Sequence, residues 1–414
     1  MFRQLIKKRR AVARLEYSNY KKLFEAYSAC LISKGYVTTT SQTYLNNIEH
    51  FISWLNMNGL QITAKTVSNF IDKHLPICSC VPPKPCHIKT ARAALRLLLQ
   101  TMGIDKFYRI ASPNQHIDAV IKQYDKHLYE AAGLAEATRF YHRRYAYEFL
   151  ISIFKLKKPN FKHLTASSIV NYITQLGRNY KRSSLCVLID SLRVFLKFLQ
   201  FTGNIGSHLI NSLPRIRKWK LATIPTSLQE VEIKKILSAF DRKTDMGKRN
   251  YAITRCLIDL GLRCSEVANL QIKNIDWRLG VLRLPKNKAH REDALPLTKP
   301  LIKALIDYLR YGRPKTNSRA VFVHHRAPFG CAIAPETVRA VVRRAYKKAG
   351  LPPTLTGTHI LRRTLATKLL NNGSSLKDIA DVLRHRSIDT TTIYTKVDLP
   401  HLSQVSLPWL GEAL

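Results

Sequence analysis

Arginine, histidine and tyrosine recur at suggestive intervals in the second half of the chain. In Asp259-Leu260-Gly261-Leu262-Arg263-Cys264-Ser265-Glu266-Val267, a glycine ends an apolar helix and Arg263 projects from the junction before a new helix starts at Ser265. Farther on, His359-Ile360-Leu361-Arg362 sets an imidazole and a guanidinium three apart on one helical face, with Ala366 and Leu369 on the buried side. Asn371-Asn372-Gly373 closes that helix. Ser375-Leu376-Lys377-Asp378 then opens another with a partial capping box, and this one ends at Leu383-Arg384-His385. Tyr394 follows nine residues after His385. Guanidiniums donate bidentate hydrogen bonds to oxyanions, and imidazoles move protons near neutral pH. The chemistry these types suit is therefore chemistry on an anionic group.

The rest of the C-terminal half must hold those groups in place. An amphipathic helix is expected at 228–239, and two β-like runs, 280–284 and 293–297, flank a polar Lys/Asn/His/Arg stretch that reads as a hairpin tip. Helices follow at about 299–311, 336–349, 358–371 and 376–384, with a short one after 399. This half is expected to be α+β, mainly helical with a small antiparallel sheet, and the half before it all-α.

Composition agrees with an anionic partner. The 414 residues carry 68 Lys+Arg against 27 Asp+Glu, a formal charge of +41, while 45% hydrophobic content suffices for packed cores in two or three domains. So large an excess repels itself unless a polyanion is the working partner, which leaves nucleic acid or an anionic membrane. No apolar run of about 18 residues is present to span a bilayer. The basic stretch Met1–Arg10 lacks the apolar segment of a signal peptide. The expectation is a cytoplasmic protein facing double-stranded DNA, with no membrane and no small-molecule substrate. Lys7 to Arg10, Arg139, Arg143, Arg144, Lys181, Arg182 and Arg215 to Lys220 are the candidate phosphate contacts.

Two stretches of the N-terminal half look like copies of one helical unit. Thr43, Tyr44, Phe51, Trp54, Ile62-Thr63-Ala64, Phe70 and Ile71 in the first are answered by Thr138, Tyr141, Phe149, Phe154, Leu164-Thr165-Ala166, Tyr172 and Ile173 in the second. The interval drifts from 97 residues (Tyr44 to Tyr141) to 102 (Thr63 to Thr165), so the likeness is one of pattern. Eight cysteines are scattered along the chain, which suits reduced thiols. In the one cluster, Cys78, Cys80, Cys86 and His87, a zinc site is conceivable, although C-x-C is tighter than the usual C-x₂₋₄-C. The alternative is a proline-rich loop holding free thiols, and no metal is assigned.

Taken together, the catalytic-half residues resemble the tyrosine recombinase (phage integrase) family. Its pattern runs through an arginine in G-L-R-x-S-E, a hairpin lysine, H-x-x-R, a His or Trp, and a tyrosine about nine residues on, and each element occurs here in order. The resemblance covers about 228–400. The bundle at about 134–205 is similar to that family's core-type DNA-binding domain, and the first bundle is an extra unit, as in long transposon-type members. The expected division is 1–115 N-terminal helical domain, 116–215 core-type bundle, 216–226 basic linker, 227–400 catalytic domain and 401–414 tail. That tail either docks on its own domain or inserts into a neighbouring subunit.

The resemblance implies a site-specific recombinase or integrase that cleaves and rejoins DNA through a 3′-phosphotyrosine, as a homo-tetramer on synapsed sites, with sister recombinases a further expected partner. It implies Arg263 and Arg362 on the phosphate, His359 as proton acceptor, His385 as a phosphate hydrogen-bond donor and Tyr394 as nucleophile. Glu266 is expected to anchor its neighbours. The leaving oxygen takes its proton from Lys286 or Lys288. Counting back eight residues from Pro296 selects Lys288, counting forward from Arg263 lands on Asn287 between them, and Lys288 is assigned. The hairpin lacks the family's K-G-x-K tip, and Arg363 stands where many relatives have a second histidine. The mechanism conserves bond energy, so no cofactor is expected. Two other readings stay open: an enzyme that relaxes DNA by the same step without exchanging strands, and a catalytically silent or helper-dependent DNA-binding accessory protein of a mobile element.

Overall fold

The computed structural model describes residues 5, 20–78, 80, 87–104, 115–155, 157–216, 226–284, 293–384 and 391–392. The chain divides into two compact units, Met1–Glu49 with Leu221–Leu414, and His50–Lys220. In this division residues 1–49 group with the C-terminal half. A backbone bond shows why: the Phe329 N–H donates to the Lys34 carbonyl at 2.9 Å. Among the described residues, no helix is long and apolar enough to cross a membrane.

Among the described residues, α1 (Lys21–Ser33) and α2 (Thr38–Met57) are the first helices with both ends defined, and the division falls inside α2. In the unit His50–Lys220, α3 (Ala64–Asn69) runs into a π-helical turn, Phe70–His74, and a 3-10 turn, Leu75–Ile77, before α4 (Ile88–Thr101). Then come α5 (Gln115–Glu130), α6 (Glu136–Phe154), α7 (Ala166–Gly177), α8 (Arg182–Phe201) and the short α9 (His208–Asn211). The two stretches read as copies share one order, a long helix, a threonine-capped helix and another long helix. Thr63 Oγ1 accepts the Thr66 N–H at 3.1 Å while Thr66 Oγ1 accepts the Thr63 N–H at 2.9 Å. Thr165 and Ser168 repeat the exchange at 3.2 Å each way. Both thus satisfy helix-start N–H groups that no carbonyl can reach. Leu188, Leu192, Phe195 and Leu199 recur at helical spacing on α8 and share a core with Ile117, Tyr124, Phe149 and Tyr172.

Two of the expected phosphate contacts are differently engaged. Arg139 and Arg143 each bridge Asp125 and Glu136, and their side chains are only 14% and 15% exposed. Carboxylates on α5 and at the start of α6 therefore already offset those two charges. Lys7 to Arg10, Arg217 to Lys220 in the expected linker, and the tail 401–414 lie outside the described residues.

The C-terminal unit is mainly helical around one small sheet. Its elements are α10 (Glu230–Ser238), α11 (Asp245–Asp259), α12 (Cys264–Asn269), β1 (Ile275–Asp276), β2 (Val281–Leu284), β3 (Asp293–Pro296), α13 (Lys299–Tyr311), α14 (Pro335–Lys348), α15 (His359–Asn371) and α16 (Leu376–Leu383). The sheet is antiparallel in the order β1-β2-β3, with Leu282 opposite both Ile275 and Leu295. Leu282 and Leu284 alternate into the core while Arg283 faces out, as a half-buried strand requires. The hairpin matches expectation, whereas β1 is an addition: two residues are too short to show an alternation. Helix α11 packs against α13, α14 and α15, and the core joins Ile253, Leu257, Leu282, Leu305, Phe322, Val342 and Leu361. A second apolar seam, Ala366, Leu370, Ile379 and Leu383, holds α16 on α15.

Candidate active site

The site is built on the junction between α11 and α12. Gly261 stands there with φ +57°, a conformation that side chains disfavour. A Cβ at this position would lie 2.9 Å from Leu383 and 3.0 Å from Leu365, so glycine is also what lets α15 and α16 close on the junction. Its carbonyl accepts a hydrogen bond from Arg362 Nη1 at 2.6 Å, across 101 residues of sequence. Arg362, expected to share a site with His359, is thereby anchored to the turn that presents Arg263. Arg362 is buried, with 6% of its surface exposed, while the Arg263 side chain keeps 39%.

Glu266 organises the cations. Its Oε2 accepts the Arg263 N–H at 2.7 Å, which caps α12, and its Oε1 accepts Arg263 Nη1 at 2.8 Å. Oε2 also receives Arg384 Nη2 at 2.7 Å. Burial alone would raise the Glu266 carboxyl, but the Arg384 charge and the two Arg263 bonds outweigh it and hold the group below the usual glutamate value. Glu266 is thus an ionised anchor, the part expected of it.

Arg384 is the participant that sequence reasoning missed. It ends α16 in the left-handed region at φ 52°, and its carbonyl accepts Arg263 Nη2 at 3.3 Å. Its guanidinium, with a side chain 3% exposed, reaches Glu266 and lies 3.9 Å from Asp293. Asp293 begins β3, opposite Leu284, so Arg384 ties the base of the hairpin to the arginine cluster. The only signal in the sequence was its place beside His385, and an arginine ending a helix ordinarily faces solvent.

His359 opens α15, and Thr358 beside it contacts Cys264 through Oγ1 and Sγ at 2.9 Å. Burial first, then the charges of Arg362, Arg363, Arg263 and Arg339, push the His359 imidazole below its ordinary value. The ring is therefore neutral at pH 7 and able to accept a proton. Arg263, His359 and Arg362 are brought together. Lys286, Lys288, His385 and Tyr394 lie outside the described residues. Among the described groups, Arg263 and Arg384 face Glu266, Arg384 also lies near Asp293, Arg362 bonds the Gly261 carbonyl, and Arg339 and Arg363 add to the field at His359. The balance is cationic, and an anion with several oxygens would complete it.

Comparison with known proteins points the same way. Residues 226–401 match the Phage integrase family. The chain is 30% identical over 390 residues to the "Putative integrase/recombinase y4rA" of Sinorhizobium fredii, covering 94% of each chain. It is also 30% identical over 241 residues to the tyrosine recombinase XerA of Pyrococcus furiosus, across 58% of this chain and 79% of that one. Among solved structures, the XerH site-specific recombinase bound to palindromic difH substrate in a post-cleavage complex aligns with TM-score 0.56 at 17% identity, over 83% of this chain and 96% of that one. That likeness speaks to the fold. A match along nearly the whole length of both sequences, through helical and catalytic regions alike, places this chain in the phage integrase family of tyrosine recombinases.

Proposed function

We propose that the chain is a site-specific DNA recombinase that cleaves and rejoins DNA through Tyr394, serving integration or excision of a mobile element. The observation that carries this reading is the seating of Arg362 on the Gly261 carbonyl beside Arg263, with the charges of both felt at His359. Arg263 and Arg362 neutralise the non-bridging oxygens of a phosphodiester and stabilise its five-coordinate transition state. Neutral His359 takes the phenolic proton as the Tyr394 oxygen attacks phosphorus. The bond from phosphorus to the 5′ oxygen breaks, Lys288 protonates that oxygen, and His385 donates to the phosphate. The product is a 3′-phosphotyrosine. A 5′ hydroxyl from a partner strand reverses the steps, so bond energy is conserved. The formal charge of +41 supports duplex DNA as the partner, with a steep salt dependence of binding. A tetramer on two paired sites, with sister recombinases, is the assembly proposed.

The test is covalent trapping on nicked suicide substrates carrying the element's ends, with wild type and Tyr394→Phe side by side. A denaturation-resistant adduct through a 3′ phosphate in wild type alone supports the reading. Sequence-specific binding with no adduct on any substrate favours the accessory-protein reading. An adduct without strand exchange between two sites favours a relaxing enzyme.

A further inference from the structure

Four donor atoms that no step above uses converge within the unit His50–Lys220. The sequence groups Cys78, Cys80, Cys86 and His87, whereas the structure sorts the donors differently. The donor atoms of His50, His74, Cys78 and Cys80 all lie within 4.8 Å of one another. His87 is exposed at the start of α4, and Cys86 lies outside the described residues.

The spacings are those of a coordination shell. His50 Nε2 and His74 Nε2 are 3.3 Å apart, Cys78 Sγ is 3.4 Å from His50 Nε2, and Cys80 Sγ is 3.6 Å from His74 Nε2. A tetrahedral zinc with Zn–N near 2.0–2.1 Å and Zn–S near 2.3 Å needs edges of about 3.3–3.4 Å between nitrogens and about 3.5–3.6 Å between nitrogen and sulfur. Thiolate and imidazole ligands exclude calcium and magnesium, which take oxygen. Among single divalent ions, two sulfurs and two nitrogens at these spacings suit zinc.

Local structure explains how residues so far apart meet. The π-helical turn Phe70–His74 stacks the rings of Phe70 and His74 at 5.1 Å, and the His50 ring meets Phe70 edge-on at 5.1 Å. Trp54 lies 5.6 Å from His74 between ring centroids, so an aromatic wall fixes both imidazoles. His50 is itself 1% exposed.

We propose that His50, His74, Cys78 and Cys80 form a structural zinc site that clasps α2 to the segment leading into α4. Four protein ligands close the tetrahedron and leave no position for substrate. Binding converts both thiols to thiolates and releases two protons to solvent. The site fastens the first helical copy.

The experiment uses the full-length protein under reducing conditions, stripped by chelator and titrated with Zn²⁺ and, separately, Co²⁺. One zinc per chain is expected. Co²⁺ should give the visible bands of a tetrahedral ion with thiolate charge transfer, and Zn²⁺ should displace it. Metal removal should lower the thermal midpoint by about 5 °C or more. Cys78→Ser and His74→Asn should lose the metal, while Cys86→Ser and Cys331→Ser keep it. Wild-type protein that gives no tetrahedral Co²⁺ spectrum overturns the proposal without reference to any variant. So does a metal retained by Cys78→Ser and His74→Asn but lost from Cys86→Ser.

Discussion

Two clusters of polar side chains lie among the helices of this chain, and they pose opposite electrostatic problems. Around Gly261 the chain gathers Arg263, Arg362 and Arg384 and offsets them only in part with Glu266 and Asp293. Around Phe70 it gathers His50, His74, Cys78 and Cys80, four groups that can each offer a lone pair to a cation. The first suits an anion and the second suits a cation. Their construction differs accordingly. The arginine cluster is held by hydrogen bonds spanning 101 to 121 residues, with one guanidinium left partly open, as a transient ligand requires. The four-donor cluster offers no open position, as a permanent ligand requires.

The largest effect that separates the two belongs to the arginines. Arg362→Ala should slow single-turnover cleavage by about 10²–10³-fold, the usual loss when one donor to a developing oxyanion is removed. A loss below tenfold would break the view that this cluster waits for a phosphate. Next comes Glu266→Gln, which leaves buried Arg384 with Asp293 at 3.9 Å as its remaining carboxylate. Unfolding in urea should report a loss of about 3–5 kcal/mol. The Glu266 carboxyl is depressed in the folded state, so its contribution is present above the unfolded value near 4.3 and lost as pH falls through the folded one. The variant should lack that part of the acid slope.

Gly261→Ala should cost about 2–3 kcal/mol, from the left-handed backbone and the contacts with Leu383 and Leu365. Gly280→Ala, at φ +64° with open space around it, should cost less, about 1–2 kcal/mol, and the difference measures how tightly α15 and α16 close on the site. His359 gives a smaller, pH-dependent effect. Its depressed imidazole should keep cleavage efficiency, as kcat/KM, above half its neutral-pH level at about pH 6.5, where a free histidine would be half protonated. The acid limb should appear below that pH and vanish in His359→Gln. The smallest effect is the coupling between clusters. The double variant Cys78→Ser with Glu266→Gln should be less stable by the sum of the single changes to within about 0.5 kcal/mol, since the hydrogen bonds of Cys78 and Glu266 share no partner.

Much of this was legible in the sequence because it is local. Thr63 and Thr165 announce their helices through the residue three places on, and the 281–284 and 293–296 strands show themselves by alternation and an intervening polar stretch. Arg263, His359 and Arg362 stand out by motif order, and Glu266 by its spacing from Arg263. Strand β1 was too short to carry a pattern. Arg384 was overlooked because its partners, Glu266 and Asp293, are 118 and 91 residues away. His50 escaped for the same reason: it lies 24 residues from His74 on a different helix, whereas His87, adjacent to Cys86, looked like the natural ligand.

The amino-acid sequence alone thus determined the family, the order of its motif, the caps and the strand pair, since helix starts, hairpins and motif spacings depend on residues within a few positions of each other. Tertiary structure decided which distant groups share a site. It alone seats Arg362 on the Gly261 carbonyl, buries Arg384 between two carboxylates and turns His74 toward His50. The physical reason is that such partnerships form where packed helices bring side chains within about 3 Å, and a linear pattern holds no record of that closeness until the cores of Leu257, Leu361 and Leu383 have formed.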